Sequence, residues 1–242
     1  DFSCYRFLVT GAAPTGRELL EIYWAKGVKM VNAYGMTEVG PNNMCHPIGL
    51  TDIEGVRAKW NSCGIPAPFN QVRFVDDEGN DVAPGERGEL IFGGKLLFSG
   101  YWNNREATDA IMHDGWVHTG DMGYLDEDGF CYISGRKKNM FISGGENIFP
   151  QEIEDVIMLV PGVIEACILG VPDPKWGEVG RVLIVRGPGS AVTRDDIIKA
   201  VKAELSSIKV PKYVTFVDSV PKNAVGKRDL AEIRKKYGSP EE

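Results

Sequence analysis

The sequence predicts a mixed chain of α/β and α+β structure in two domains, with a small β-rich subdomain inside the first. Three observations support this fold class. Residues 5–31 alternate strand, turn, helix and strand, which is the rhythm of a parallel α/β layer. Residues 64–135 contain short alternating segments between Asp- and Gly-rich turns, as in antiparallel hairpins. From residue 136 onward, apolar strands and amphipathic helices follow one another as a compact α+β unit.

The first layer is predicted from two apolar strands, residues 5–10 and 28–31, and from a helix at residues 17–26. Leucine and aromatic residues recur at helical spacing in that helix, and Gly27 ends it. Two strands and one helix cannot cover both faces of a sheet. We therefore expect this layer to be the incomplete end of a larger domain.

The β-rich subdomain is expected to span about residues 64–135. Asn103 or Asn104 is expected to cap a helix that carries Ala107, Ala110 and Ile111. The strands are expected at residues 71–75, 88–92 and 130–133.

A domain boundary is predicted at Gly135-Arg-Lys-Lys138, a charged stretch between two apolar hairpins, which gives domains 1–135 and 136–242. In the second domain, Pro150 suits the first turn of a helix, and Thr193 with Asp196 forms a capping-box pattern. The elements expected are a hairpin around residues 141–142 and 147–148, helices at 151–159, from 193 and at 229–236, and strands at 163–171, 182–185 and 213–217.

Composition excludes several classes of protein. The 242 residues carry a formal net charge of −7, so the chain has no general attraction for nucleic acid or anionic membranes. Five scattered cysteines fit reduced thiols in the cytoplasm better than a disulfide framework or a zinc site. No apolar run approaches the roughly 20 residues of a membrane span. The chain opens on Asp1 without Met or a signal peptide, so we expect a segment of a longer protein.

The first candidate site is Tyr34-Gly-Met-Thr-Glu38, directly after a predicted strand. Ligands of open α/β sheets bind at the carboxyl ends of strands. Tyr34 could stack on a flat base, and Gly35 permits a close approach of the backbone. Thr37 could donate to a phosphate oxygen, and Glu38 could bind a magnesium ion. A simple polar strand-to-loop connection is an equally good interpretation of these five residues alone.

Two further stretches place charge near glycine. Asp121 follows Gly120 and suits a ribose diol, although a β-turn aspartate bonded to its own backbone is the commoner case. The cations Arg136, Lys137 and Lys138 suit phosphates or a pivot, although a charge run is more often a solvated face.

The second domain has two candidate sites of its own. Lys227 follows a glycine in a predicted loop and could carry a charge into an active site, although most such lysines are exposed and inert. The Gly144-Gly145 pair allows a thin ligand to lie against bare backbone, although two glycines usually mean a turn. Trp176 is more often a core or rim residue than a ligand platform.

Taken in order, these motifs resemble those of the adenylate-forming (AMP-binding) superfamily, which contains acyl-CoA synthetases, adenylation domains of peptide synthetases and beetle luciferases. The greatest similarity is to bacterial fatty-acyl- or aryl-CoA ligases. The resemblance rests on Gly11-Ala-Ala-Pro14, Asn32-Ala-Tyr-Gly-Met-Thr-Glu38, Gly88-Glu-Leu90, Gly100-Tyr-Trp102, Gly115-Trp-Val-His-Thr-Gly-Asp121, Gly135-Arg-Lys-Lys138, Ser143-Gly-Gly-Glu-Asn-Ile148, Pro150-Gln-Glu-Ile-Glu154 and Gly226-Lys227.

The resemblance implies an ATP-dependent acid–coenzyme A ligase that forms an acyl-adenylate and then a thioester, with ATP, Mg²⁺ and coenzyme A. It implies that Lys227 acts in adenylation and that the small C-terminal domain swings about Lys138. The remaining implied contacts are Tyr34 with adenine, Thr37 with the α-phosphate, Glu38 with Mg²⁺, Asp121 and Arg136 with ribose, Gly145 and Trp176 with pantetheine, and Gly11, Ala13, Asn32, Ala33, Gly35 and Met36 with the nucleotide and acyl pocket.

Two departures from the family pattern qualify these expectations. The upstream Ser/Thr/Gly-rich phosphate loop is absent, so we expect a C-terminal half that is inactive until it meets the N-terminal half of the same protein. The hinge position carries Lys138 where many members carry Asp. A fatty acid is expected over an aryl acid. The alternatives are an adenylation domain loading a carrier protein, or a non-catalytic nucleotide-binding or interaction module; the sequence leaves the oligomeric state open.

Overall fold

The computed structural model describes residues 4–11, 15–47, 52–224 and 226–239. It divides into two compact units, residues 1–137 and 138–242. The predicted domains, 1–135 and 136–242, differ from these units by two residues, and their assignment as a truncated large domain and a small lid stays a prediction. Among the described residues, no helix has the length and apolar character that crossing a membrane requires.

The described residues of the first unit form three small sheets. Strands β1 and β2 are parallel, β3, β4 and β5 form an antiparallel sheet, and the third sheet has the antiparallel order β10-β9-β7-β6 with β8 beside β9. Its elements are β1 (Phe7–Thr10), α1 (Arg17–Trp24), β2 (Lys29–Asn32), β3 (Tyr34–Met36), β4 (Gly40–Cys45), α2 (Ile53–Ala58), β5 (Ile65–Pro66), β6 (Gln71–Val75), β7 (Gly88–Gly93), α3 (Arg105–Asp109), β8 (Met112–His113), β9 (Trp116–Leu125) and β10 (Cys131–Arg136).

In the part of the second unit that the structure describes, one sheet has helices on both faces. Its antiparallel order is β12-β11-β14-β13, and β15 lies parallel to β14. Its elements are β11 (Phe141–Ser143), β12 (Glu146–Ile148), α4 (Pro150–Ile157), β13 (Val163–Asp173), β14 (Gly177–Arg186), α5 (Arg194–Glu204), β15 (Tyr213–Phe216) and α6 (Leu230–Tyr237).

Alternation along β13 explains the two-sided core of the second unit. Ala166 and Ile168 pack in one cluster with the apolar residues of α4 and α5. Cys167 and Leu169 point to the opposite face and pack with Ile233 of α6. Successive strand residues face opposite sides of a sheet, so a strand covered on both faces is a continuous apolar run.

Short polar side chains begin several helices as predicted. Thr193 accepts a hydrogen bond from the backbone N–H of Asp196, whose carboxylate in turn accepts from the Thr193 N–H at 2.9 Å. Asn104, rather than Asn103, caps α3 by accepting from the Ala107 N–H at 3.0 Å. These bonds satisfy N–H groups that have no partner within their helices.

Two sequence-based interpretations were wrong in detail, and two elements were missed. The Tyr34 segment is a short strand followed by a 3₁₀ turn, Thr37–Val39, and is not a loop. Helix α3 ends at Asp109, before Ala110 and Ile111. The six-residue helix α2 and the ten-residue strand β9 were both missed. In β9 the inward positions include threonine, aspartate and glycine, which conceal the alternation that normally identifies a strand.

Candidate functional site

The parallel strands β1 and β2 bring the first group of candidate residues together at one edge. Ala33 follows β2 and donates its backbone N–H to the Thr10 carbonyl oxygen at 2.8 Å. A Cβ placed on Gly11, which follows β1, would lie 3.4 Å from the Ala33 carbonyl oxygen. The two strands therefore end side by side, as expected for a ligand-binding edge. Ala13 lies outside the described residues.

Asn32, which was expected to line the nucleotide and acyl pocket, also has a structural role. Its side chain is buried, and its Oδ1 accepts a hydrogen bond from the Thr15 N–H at 3.0 Å. Its Nδ2 donates to the Trp60 carbonyl oxygen at 3.1 Å. Both ends of the amide thus tie β2 to neighbouring segments, which restrains the backbone just before Tyr34.

One hydrogen bond and one ion pair join Tyr34, Asp121 and Arg136 in what we call the Tyr34–Asp121–Arg136 cluster. The Tyr34 hydroxyl donates to Asp121 Oδ2 at 2.6 Å, and Arg136 Nε lies 2.7 Å from Asp121 Oδ1. The Tyr34 ring lies parallel to Phe92, with ring centroids 6.0 Å apart. Residues 34, 121 and 136 thus meet in space across about 100 positions of sequence.

The backbone of β9 and β10 holds this cluster in place. Asp121 is a mid-strand residue paired with Arg136, so its interpretation as a β-turn aspartate was wrong. Arg136 also donates from one terminal nitrogen to the Thr119 carbonyl oxygen at 2.9 Å. The Thr119 hydroxyl accepts from the Asp121 N–H at 3.0 Å and donates to the Leu90 carbonyl oxygen at 2.7 Å. Thr119 was not predicted as a site residue.

Burial dominates the electrostatics of the cluster. Burial raises the pKa of Asp121, opposed by the hydrogen bond from Tyr34 and by the positive charge of Arg136. Burial, together with the negative charge of Asp121, also raises the pKa of Tyr34. The tyrosine consequently keeps its proton and remains a donor, while Arg136 favours the ionised carboxylate that hydroxyl groups can donate to.

Thr37 and Glu38 lie on the 3₁₀ turn after Tyr34. Thr37 is exposed, and the half-buried Glu38 accepts a hydrogen bond from the Tyr101 hydroxyl at Oε1, at 2.7 Å. The backbone carbonyl of Glu38 accepts from the Phe98 N–H at 2.8 Å. Tyr101 lies in the Gly100-Tyr-Trp102 motif but was not predicted as a site residue, and it orients the Glu38 carboxylate.

Gly35 and Met36 have clear packing explanations. A Cβ on Gly35 would lie 2.5 Å from the backbone nitrogen of Asn42 on the facing strand, so the hairpin itself requires glycine there. Met36 is half-buried and packs against the core of the β-rich sheets. Neither observation depends on a ligand.

The second unit brings the Gly144-Gly145 turn next to Trp176, and the direct contacts are those of Gly144. Gly144 and Gly145 have φ angles of 57° and 86°, which favour glycine. The Gly144 N–H donates to the Trp176 carbonyl oxygen at 2.9 Å, and a Cβ on Gly144 would lie 2.8 Å from the indole ring. Trp176 is 41% exposed, so its ring is partly available at this turn.

Lys138 and Lys227 lie on other parts of the second unit. Lys138 is exposed in a 3₁₀ turn, Lys137–Asn139, at the point where the two units divide. Lys227 is exposed on the loop before α6, and its N–H donates to Asn223 Oδ1 at 3.0 Å.

Comparison with known proteins explains the ordered motifs. Residues 1–102 match a family model described as AMP-binding enzyme, and residues 152–227 match that of the AMP-binding enzyme C-terminal domain. The chain belongs to the AMP-binding enzyme family. This confirms the resemblance found in the sequence.

Two curated relatives illustrate the similarity. Feruloyl-CoA synthase of Amycolatopsis sp is 39% identical over 98% of the chain and 48% of the relative. A long-chain-fatty-acid–CoA ligase of Salmonella typhimurium is 39% identical over 97% of the chain and 41% of the relative. The chain thus spans a little under half the length of the curated relatives it matches.

Solved structures confirm the fold class. The amide bond synthetase McbA of Marinactinospora thermotolerans matches 98% of the chain and 48% of its own with a TM-score of 0.87 at 28% identity. The o-succinylbenzoate CoA synthetase of Bacillus subtilis, solved with its acyl-adenylate intermediate, matches 92% of the chain and 44% of its own with a TM-score of 0.83 at 33% identity.

Proposed function

We propose that the chain is part of an AMP-forming acid–coenzyme A ligase. In the first half-reaction, a substrate carboxylate oxygen attacks the α-phosphorus of ATP, and pyrophosphate leaves. In the second, the thiolate of coenzyme A attacks the acyl carbon, and AMP leaves. The Tyr34–Asp121–Arg136 cluster is the observation that carries this proposal, because it joins an aromatic ring, a buried carboxylate and a cation at one site.

Each member of the cluster has a distinct proposed task. Phe92 supports one side of the Tyr34 ring, and the other side is proposed to stack on adenine. Asp121 Oδ2 accepts one hydrogen bond from Tyr34, Asp121 Oδ1 pairs with Arg136, and a carboxylate oxygen has two lone pairs. The ribose hydroxyls are proposed to donate to the remaining lone pairs, with Arg136 holding the carboxylate ionised.

Glu38 is the proposed ligand of Mg²⁺. Among the described residues there is no group of three or more Asp, Glu, His or Cys side chains that could form a metal cage. One carboxylate nevertheless fits this ion, because Mg²⁺ in nucleotide sites is usually held by one or two carboxylates plus phosphates and water. When bound, the ion would supply charge neutralisation for the phosphates. Tyr101 holds the carboxylate in one orientation, and Thr37 is proposed to bind the α-phosphate.

Lys227 is the proposed catalytic residue of adenylation. Negative charge accumulates at the α-phosphorus as the carboxylate approaches, and an ammonium group stabilises it. A lysine needed in the first step would obstruct the thiol in the second, which gives a physical reason for a mobile domain pivoting at Lys138. Gly145 and Trp176 are proposed to contact the pantetheine arm of coenzyme A in the second step.

A companion segment of the same protein is also part of the proposal. Among the described residues the first layer has two strands, and five of its large apolar or aromatic residues are between 43% and 53% exposed. Such an apolar surface normally packs against further structure. The exposed residues are Tyr5, Phe7, Val9, Leu19 and Ile22. We propose that the companion covers them and supplies the phosphate loop, so that the chain alone is inactive.

A fatty acid is the proposed substrate, and an aryl acid is the second candidate. The long-chain-fatty-acid–CoA ligase and the feruloyl-CoA synthase are both 39% identical to the chain, so identity favours neither. Screening both kinds of acid for AMP release with coenzyme A present distinguishes them. A cytoplasmic location is proposed because the five cysteines are free thiols.

The decisive experiment replaces Lys227 by alanine in the enzyme formed with the companion segment. Adenylation, measured as acid-dependent exchange of pyrophosphate into ATP, should fall at least about 100-fold. Thioester formation from a pre-formed acyl-adenylate should stay within about threefold of the parent. Lys202→Ala, on the exposed surface of α5, is the control and should change neither. Unchanged adenylation in Lys227→Ala would favour the non-catalytic module instead.

A further inference from the structure

The loop that carries Lys227 is closed by backbone hydrogen bonds. The Asn223 N–H donates to the Lys227 carbonyl oxygen at 2.7 Å, and the Asp229 N–H donates to the Pro221 carbonyl oxygen at 2.9 Å. Lys222 and Arg228 form an antiparallel bridge between these two bonds. Lys227 therefore lies opposite Asn223 in a narrow hairpin, one residue from the Lys222–Arg228 pair that forms its base.

Arg228 fixes the base of this hairpin to the core of the second unit. One terminal nitrogen donates to Glu154 Oε2 at 2.6 Å, and the other donates to the Ala166 carbonyl oxygen at 2.7 Å. Its Nε lies 3.8 Å from Glu165 Oε1, while Lys222 Nζ lies 3.1 Å from Glu165 Oε2. The guanidinium group therefore contacts both α4 and β13.

Glu154 is a fixed anchor rather than a surface carboxylate. Its side chain is 6% exposed, and its second oxygen accepts the Ile168 N–H at 2.9 Å. Both carboxylate oxygens are therefore bonded to the protein, within the packing of α4 against β13. A buried carboxylate with two such bonds is held in one orientation, so Glu154 in turn holds the Arg228 guanidinium group in place.

Lys227 differs from Arg228 in its contacts, although both residues are exposed. Among the residues that the structure describes, the ammonium group of Lys227 pairs with no carboxylate, whereas Arg228 pairs with Glu154. The position of the Lys227 ammonium group therefore depends on the backbone before and after Lys227. Arg228, the next residue, is the nearest point at which that chain is attached to the core.

We propose that Arg228 is a positioning residue for Lys227: its bonds to Glu154 and to the Ala166 carbonyl fix the hairpin from which the Lys227 ammonium group projects. This proposal rests on the adenylation role of Lys227 proposed above. Three separate contacts suit the planar fork of arginine, and a lysine at this position can make only part of them. Arg228 itself touches no substrate in this account.

The first test measures loop order in the 242-residue chain by amide hydrogen exchange. In Arg228→Lys, the Asn223 amide should exchange about tenfold faster or more, because the hairpin base loses its fork of contacts. Amides of β13 should change less than about threefold, which shows that the unit remains folded. Arg228→Gln with Glu154→Gln provides a second, uncharged variant in case burial of an unpaired Glu154 prevents folding. Arg194→Gln on α5 is the control and should leave the loop unchanged.

The second test separates the half-reactions in the enzyme formed with the companion segment. Arg228→Lys should lower acid-dependent pyrophosphate exchange about tenfold, mainly in kcat, and leave thioester formation from acyl-adenylate within about twofold. Unchanged loop exchange, or equal losses in both half-reactions, overturns the positioning role. If Lys227→Ala also leaves adenylation intact, the proposed function fails; if only Arg228→Lys is neutral, the positioning proposal fails alone.

Discussion

Replacing Asp121 by asparagine tests the ribose contact at the centre of the Tyr34–Asp121–Arg136 cluster. The substitution preserves shape, and the asparagine Oδ1 can still accept from the Tyr34 hydroxyl. It removes the charge that makes hydrogen bonds from ribose strong. Losing that assistance from two hydroxyl groups costs about 2 kcal/mol, which corresponds to about a 30-fold weaker affinity for ATP.

The assay compares ATP with 2′,3′-dideoxy-ATP by calorimetric titration of the parent and of Asp121→Asn. For the dideoxy nucleotide, which lacks both hydroxyl groups, the substitution should weaken binding less than about threefold. Equal losses for the two nucleotides would refute the ribose contact. The substitution relieves the burial that raises the pKa of Asp121 but also removes its ion pair with Arg136, so thermal unfolding of both proteins is measured to check that the variant is folded. Asp81→Asn, whose carboxylate is 66% exposed and paired with Arg73 on the same sheet, is the matched control.

Three further predictions address the remaining contacts. Tyr101→Phe removes the hydrogen bond to Glu38 and should raise the Mg²⁺ concentration needed for half-maximal ATP binding by about threefold to tenfold, measured by titration; an unchanged requirement would contradict the orienting role. Burial raises the pKa of Asp155 from 3.8 to about 6, so this group favours folding most below pH 4, and that contribution is lost as pH rises through 6. Asp155→Asn should therefore add about 1–2 kcal/mol to the unfolding free energy at pH 8 and less at pH 4, measured by urea titration. The control, Asp195→Asn at an exposed position, should change the unfolding free energy by under about 0.5 kcal/mol at both pH values. Gly88→Ala would place a Cβ 2.7 Å from a β6 carbonyl oxygen and should destabilise the chain by about 1–3 kcal/mol in the same titration. A neutral result would show that β6 and β7 can move apart to accommodate the methyl group.

The elements that local chemistry determines were predictable from sequence. The Thr193 capping box, Pro150 at the beginning of α4 and the apolar run of β13 each satisfy a rule that depends on a few neighbouring residues. The parallel pairing of β1 with β2 followed from the strand–helix–strand order. These predictions needed no knowledge of distant contacts.

The remaining features depend on contacts between distant segments. Strand β9 was missed because its inward side holds polar and glycine residues, and these are the residues that position Asp121. The hydrogen bond from Tyr101 to Glu38 joins positions 63 residues apart, and that from Arg228 to Glu154 joins positions 74 apart. No local pattern predicts such pairs. Arg228 had one available signal, its position next to Lys227.

The most direct test of the account follows an oxygen atom. If the enzyme formed with the companion segment is given a carboxylic acid labelled with ¹⁸O in both oxygens, together with ATP and coenzyme A, one labelled oxygen becomes bonded to the α-phosphorus. When the thiolate displaces AMP, that oxygen should leave in the phosphate of AMP, and mass spectrometry should find one ¹⁸O per AMP formed. Unlabelled AMP, or ADP and labelled phosphate in its place, would contradict the adenylate mechanism.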